Sequence, residues 1–182
     1  MIITNNEDAL RVKCEDVLVD EVGELISTLE KELDYSNRVG RAGIGLAAPQ
    51  IGIAKNIAIV RLGEFNFNLI NAKIKQAYHP SIFKDEGCLS FPGRVENTTR
   101  FQEILVENNF STFPSFIATG LLAVVCQHEL DHLNSKLFMD YACVPLTNKK
   151  QKVGPNDPCK CGKTDPVTGK IKKFKKCCGV KL

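Results

Sequence analysis

The residues best equipped for chemistry in this chain sit in one hexapeptide, Gln127-His128-Glu129-Leu130-Asp131-His132. His128 and His132 are four apart, so on a helix both imidazoles project from one face, about 6 Å from each other. That span lets two ring nitrogens reach one cation at about 2.1 Å each. Glu129 points to a neighbouring face, near enough to take a proton from water at such an ion without being a ligand. Catalytic sites of this kind use three protein ligands and keep one position open. Cys88, in Glu86-Gly87-Cys88-Leu89-Ser90 at an expected strand end, is one candidate for the third. Cys126 is its rival, but it lies two residues before His128, about 200° around the helix and facing away from the pair. Cys126 reads more simply as a small buried hydrophobe, as do Cys14 and Cys143 in their plain contexts.

A second group of donors lies near the C-terminus. Cys159, Cys161, Cys177 and Cys178 form a CxC pair and a CC pair separated by 15 residues. Four sulfurs suffice for a closed tetrahedral zinc site with no open position. The last 26 residues hold only Val167, Ile171, Phe174, Val180 and Leu182 as large apolar groups. They cannot bury enough surface to fold alone, so zinc would supply the missing folding energy.

The elements that must position these groups follow from periodicity. Val22, Leu25, Ile26, Leu29 and Leu33 recur at helical spacing opposite acidic residues, which predicts an amphipathic helix ending near Asn37–Gly40. Residues 43–52, GIGLAAPQIG, read as a loop or irregular strand. Runs 56–62 and 65–74 read as a hairpin joined by Gly63-Glu64, and 100–110 as a further strand. From Phe116 to Leu133 the pattern predicts one long buried helix carrying the histidines.

Charge divides the chain of 182 residues. Formal net charge is +3, yet residues 149–182 carry eleven Lys against two Asp, leaving the rest of the chain at −6. Polar, Gly-Pro and Asp-Pro content after Tyr141 predicts three regions: a catalytic domain at 1–147, a basic linker at 148–156 and a four-cysteine zinc module at 157–182. A 43% apolar content excludes a disordered chain. No membrane span is expected, and the N-terminus lacks an apolar segment of signal-peptide type, so a cytoplasmic location is expected.

GIGLAAPQIG, EGCLS and QHELDH, in that order, resemble the three motifs of the peptide deformylases, with similarity over roughly residues 10–141. The resemblance implies an α+β fold, a mixed set of short β-sheets around a central metal-bearing helix, here followed by a small zinc-stapled tail. It implies hydrolysis of the N-formyl group from the starting methionine of nascent polypeptides. Cys88, His128 and His132 would hold a divalent metal, Fe²⁺ being favoured and Zn²⁺ or Ni²⁺ possible. Metal-bound hydroxide would attack the formyl carbon, with Glu129 as base and then acid. The Gln50 side chain and the Leu89 backbone N–H would stabilise the oxyanion. Gly43, Ile44 and Gly45 would line the substrate peptide, and Val124 and Val125 the methionine pocket. Glu86 and Gly87 would stand at the pocket rim, Glu86 also as an acceptor behind the metal ligands, and Asp131 reads as a structural acid.

A monomeric catalytic domain is also expected. Two departures accompany the resemblance: the stretch from Arg100 to Thr119 looks short, which suggests a trimmed sheet, and Asn71-Ala72 stands where Asn-Pro is frequent. The tail resembles the SEC-C zinc module, down to its NDPC and KKFKKCC segments. With zinc bound its charge would fall to about +7, and Lys172, Lys173, Lys175 and Lys176 suggest docking to the ribosome or its RNA. Two other readings exist. A zinc endopeptidase needs a third ligand after the helix, yet no His follows His132. A non-catalytic zinc adaptor fits poorly with an intact Glu129 and Gln50.

Overall fold

The computed structural model describes residues 1–143 and Lys173. The cysteines of the expected tail module, Cys159, Cys161, Cys177 and Cys178, and the linker at 148–156 lie outside the described residues. In chain order the elements are α1 (Glu7–Leu10), α2 (Val22–Arg38), β1 (Gly45–Ala47), β2 (Ile57–Leu62), β3 (Phe65–Ile70), β4 (Lys73–Gly87), β5 (Val95–Glu107), β6 (Ser115–Thr119) and α3 (Gly120–Leu133). Short 3-10 turns occupy Ala48–Ile51 and Phe138–Tyr141. The strands form two three-stranded sheets, β1-β2-β3 and β4-β5-β6. Every pairing between these strands is antiparallel.

The core is organised around β2. Its residues alternate between two apolar clusters: Ala58 and Val60 join the one that holds α3, while Ile57 and Ile59 join the one under α2. A strand with both faces buried shows no apolar–polar alternation, which is why β2 reads in sequence as an unbroken apolar run. The cluster under α3 is rich in small residues, Ala47, Ala58, Ala118 and Ala123, so the helix lies close against both sheets. Its Ala123–Leu130 stretch is buried all round. The helix at 22–38 and the hairpin at Gly63-Glu64 match their sequence expectations.

Three expectations need correction. The apolar run 65–74 is not one strand: it stops at Ile70, and Asn71, at φ +49°, turns the chain into β4. The buried Asn71 amide holds that turn by accepting from the Val17 N–H at 2.8 Å and donating to the Val17 carbonyl at 3.0 Å. The expected long helix begins only at Gly120, because Ser115–Thr119 pairs with β5 as β6 and Gly120, at φ +57°, ends the strand. A short apolar run suits either period, and β-branched Ile117 and Thr119 with Phe116 favour the sheet. The sheet before α3 is not trimmed either: β4 and β5 are its longest strands, at 15 and 13 residues. Residues 108–128 carry no Asp, Glu, Lys or Arg, but they are divided among a loop, β6 and α3. Among the described residues no helix is long and apolar enough to cross a membrane.

Replacing Asn71 by Ala would strand two buried Val17 backbone groups and leave a Cβ residue without local support at positive φ. We expect a loss of about 2–4 kcal/mol in urea denaturation. A change below about 0.5 kcal/mol would show that the turn does not depend on this amide.

Candidate metal and active site

α3 brings His128 and His132 to one face, as their spacing requires, with ring centroids 5.0 Å apart. Cys88 follows directly on the end of β4, and its Sγ lies 3.3 Å from His132 Nε2. One donor atom from each of Cys88, His128 and His132 falls within 4.8 Å of the others, a cluster able to hold a metal ion. Cys126 is fully buried in the apolar cluster behind the helix and takes no part. Burial pushes its thiol up to about 12.

The tautomer of His128 is set from behind. Its Nδ1 stands 2.7 Å from Glu86 Oε1, so donation to that carboxylate leaves the Nε2 lone pair for an ion. Burial opposes the charged ring, yet Cys88 and Glu86 hold the His128 pKa well above its ordinary value. Burial, then the neighbouring His128 charge, lowers His132 to about 4, which keeps it a neutral donor at physiological pH. A thiol and two imidazoles converging in this way suit zinc or ferrous iron.

Glu86 is itself clamped. Arg100, 2% exposed, donates Nε to Glu86 Oε2 at 2.8 Å and Nη2 to Oε1 at 2.6 Å, while its Nη1 reaches Asp131 Oδ2 at 2.6 Å. Thr98 adds a hydroxyl bond to Glu86 at 2.5 Å. The Tyr141 ring stacks under the guanidinium at 4.7 Å and its hydroxyl donates to Asp131 Oδ1. Asp131 is thus part of the support of the metal-ligand cluster, away from its open side. No sequence motif singles out the role of Arg100, yet the sign is present. The residue shares the period-2 face of β5 with buried Ile104 and Val106, and a charge on that face must find partners.

On the open side lies a cavity of about 550 Å³. Gly43, Ile44 and Gly45 of the β1 region form one wall, with Gln50, Cys88, Leu89, His128 and Glu129 at the base. Glu86, Gly87, Val124 and Val125 also line it, whereas the buried His132 does not. The Gln50 amide, 1% exposed, is locked: its oxygen accepts from the Ala47 N–H at 2.8 Å, and its nitrogen donates to Ser90 Oγ at 3.2 Å and Cys88 Sγ at 3.4 Å. These partners aim the N–H side of the amide at the ligand cluster. Ser90 has no role that the sequence alone reveals, since only the folded loop brings it to Gln50. Glu129 is 3% exposed, and its Oε2 has no hydrogen-bond partner among the described residues. Burial raises its pKa to about 7, so it can both take and give a proton near neutrality.

Two imidazoles and a thiol beside a buried carboxylate of near-neutral pKa, at the base of a cavity, define a site of the metal-dependent hydrolase class. The chain belongs to the polypeptide deformylase family, whose model matches residues 1–150. Members are metal-dependent enzymes that remove the N-formyl group from nascent peptides. The chain is 37% identical over 143 residues to a peptide deformylase of Heliobacterium modesticaldum, a match covering 76% of this chain and 91% of that one. A Helicobacter pylori peptide deformylase is 35% identical over 144 residues, covering 72% and 82%. The crystal structure of the Thermotoga maritima peptide deformylase superposes with a TM-score of 0.68 at 31% identity, covering 79% of this chain and 97% of that one. The Synechococcus elongatus enzyme, solved in complex with actinonin, gives 0.70 at 32%, covering 80% of each.

The clamp makes a pH prediction. Although burial favours its neutral form, hydrogen bonds from His128 and Arg100 lower Glu86 to about 2, against 4.5 for a free carboxyl. A lowered folded pKa contributes stability that is fully present above pH 4.5 and disappears as pH falls towards 2. Glu86→Gln should therefore lower stability at neutral pH by roughly 3 kcal/mol and flatten the acid limb between those values. An unchanged acid limb in denaturation curves spanning about pH 2–7 would refute the assignment.

Proposed function

We propose that this chain deformylates nascent peptides at the cavity beside Cys88, His128 and His132, with Glu129 as its proton carrier. The observation that carries the reading is the convergence of those three donors within 4.8 Å of one another, in a cavity whose base also holds Glu129. The three would hold a divalent cation, Fe²⁺ favoured and Zn²⁺ or Ni²⁺ also suited to a thiolate and two imidazoles. When bound, such an ion polarises a carbonyl and makes water acidic near neutral pH. Glu129 takes the proton from the attacking water and passes it to the departing amine, one carboxylate serving in both directions. Gln50 Nε2, on releasing its bond to Cys88 Sγ, and the Leu89 backbone N–H donate to the oxygen that gains charge, while the bonds to Ala47 and Ser90 keep the amide oriented.

Substrate would lie along β1. This strand is at the edge of its sheet, hydrogen-bonded to β2 alone, so residues 43–45 can add a peptide strand by main-chain bonds. Val124 and Val125, 3% and 6% exposed, line the cavity with apolar surface suited to a methionine side chain. Glu86 and Gly87 would complete the rim. Residues 1–147 then form the catalytic domain, 148–156 a linker, and 157–182 a module in which Cys159, Cys161, Cys177 and Cys178 share a structural Zn²⁺. The surplus of lysine in residues 149–182 supports a polyanionic partner, the ribosome or its RNA.

Formate release from formyl-Met-Ala-Ser by the iron-loaded chain under anaerobic conditions tests the first claim, and none released defeats it. Glu129→Ala should lower kcat about 10²–10⁴-fold while the metal content stays the same. For the tail, replacing all four of its cysteines by serine should remove one bound zinc per chain and spare formate release. Deleting residues 148–182 should weaken ribosome cosedimentation most at low salt. Equal zinc content, or an unchanged sedimentation profile, refutes the corresponding half.

A further inference from the structure

We propose that Gly45 positions the Glu129 carboxylate, by withholding a side chain from the face of β1 against which that carboxylate packs. Glu129 is buried, and among the described residues no side chain or backbone group donates a hydrogen bond to its Oε2. What sets its place is shape. A Cβ on Gly45 would collide with Glu129 Oε1 and stand 2.8 Å from Cδ and 3.0 Å from Cγ, all inside ordinary contact distance. Gly45 does not have the positive φ that would itself require glycine. It sits in extended register opposite Val60, so the missing side chain, rather than backbone freedom, is what the site uses.

The small residues beneath α3 bring the helix and β1 to this distance. Ala47 of β1, Ala58 of β2 and Ala123 of α3 meet in one cluster, and the Glu129 side chain occupies the space left at Gly45. A carboxylate seated by packing, its Oε2 clear of donors among the described residues, suits a group that must accept a proton and release it within one turnover. Gly45 is thus a positioning residue, in addition to any main-chain pairing with substrate. The proton-transfer part of this inference rests on the proposed deformylase reaction, whereas the steric part does not.

The test is a double-mutant cycle on the full, iron-loaded chain, joined to a crystal structure of the Gly45→Ala variant. The added methyl meets the end of a movable side chain, so the carboxylate should turn away while the backbone holds. Formate release by Gly45→Ala should fall about 10–100-fold in kcat, as expected for a misplaced reacting group, with KM changed less than about threefold. In a Glu129→Ala background the same substitution should cost nothing further. An equal loss in both backgrounds, a rise in KM alone, or an unmoved carboxylate in the crystal would overturn the proposal. If Gly45→Ala fails to fold, folding should return in the double variant, where the collision is gone, and its failure to return also overturns it. Should the wild-type chain release no formate, the deformylase reading fails, and the carboxylate position in the crystal still decides the steric claim.

Discussion

One buried guanidinium ties the structure together. Arg100 is 2% exposed, and burying a charge so deeply is unfavourable unless every donor finds an acceptor. Here Nε and Nη2 grip Glu86, Nη1 grips Asp131, and Tyr141 covers the flat face. Those partners come from the end of β4, from α3 and from the turn after it. The same charge set therefore fixes the distance between sheet and helix, and with it the distance between Cys88 on one and the histidines on the other. Removing one partner would leave an uncompensated charge inside the fold, a loss on the order of 3–5 kcal/mol.

The site combines two ways of holding a side chain still. Gln50 and His128 are oriented by hydrogen bonds, each with its far side tied so that one atom faces the ligand cluster. Glu129 is oriented by packing and is left without a donor at Oε2. The division follows function in the proposed reaction. A group that donates to a developing negative charge gains from a rigid lock. A group that must change protonation twice in one cycle gains from an environment that favours neither form, and burial to a pKa of about 7 provides that.

Much of this was legible in the sequence, for physical reasons that differ by element. The His128–His132 spacing translates directly into geometry because a helix fixes it. The amphipathic α2 carries a helical periodicity, and the β2–β3 hairpin shows as two β-rich runs joined at Gly63-Glu64. What escaped the sequence was decided by contacts distant along the chain. Ser115–Thr119 became a strand because β5 offered it an edge, and Asn71 became a turn because Val17 was there to receive its amide. The Arg100 clamp and Ser90 belong to the same class, since their partners lie between 14 and 41 residues away. Gly45 was legible as a glycine, but what it makes room for required the packing of β1 on α3.

The double burial of β2 reaches beyond this site to how such a chain can diverge. Its large residues, Ile57 and Ile59, face α2, and its smaller ones, Ala58 and Val60, face the α3 side. Inserting or deleting one residue within the strand would exchange the two sets, pushing isoleucines under the helix that carries the histidines and leaving voids under the other. The neighbouring turn at Gly63-Glu64 has no such double obligation: a Cβ on Gly63 would meet nothing within 4 Å, and Glu64 is exposed. Length variation among descendants of this sequence should therefore accumulate at that turn, while β2 changes by substitution at constant volume on each face.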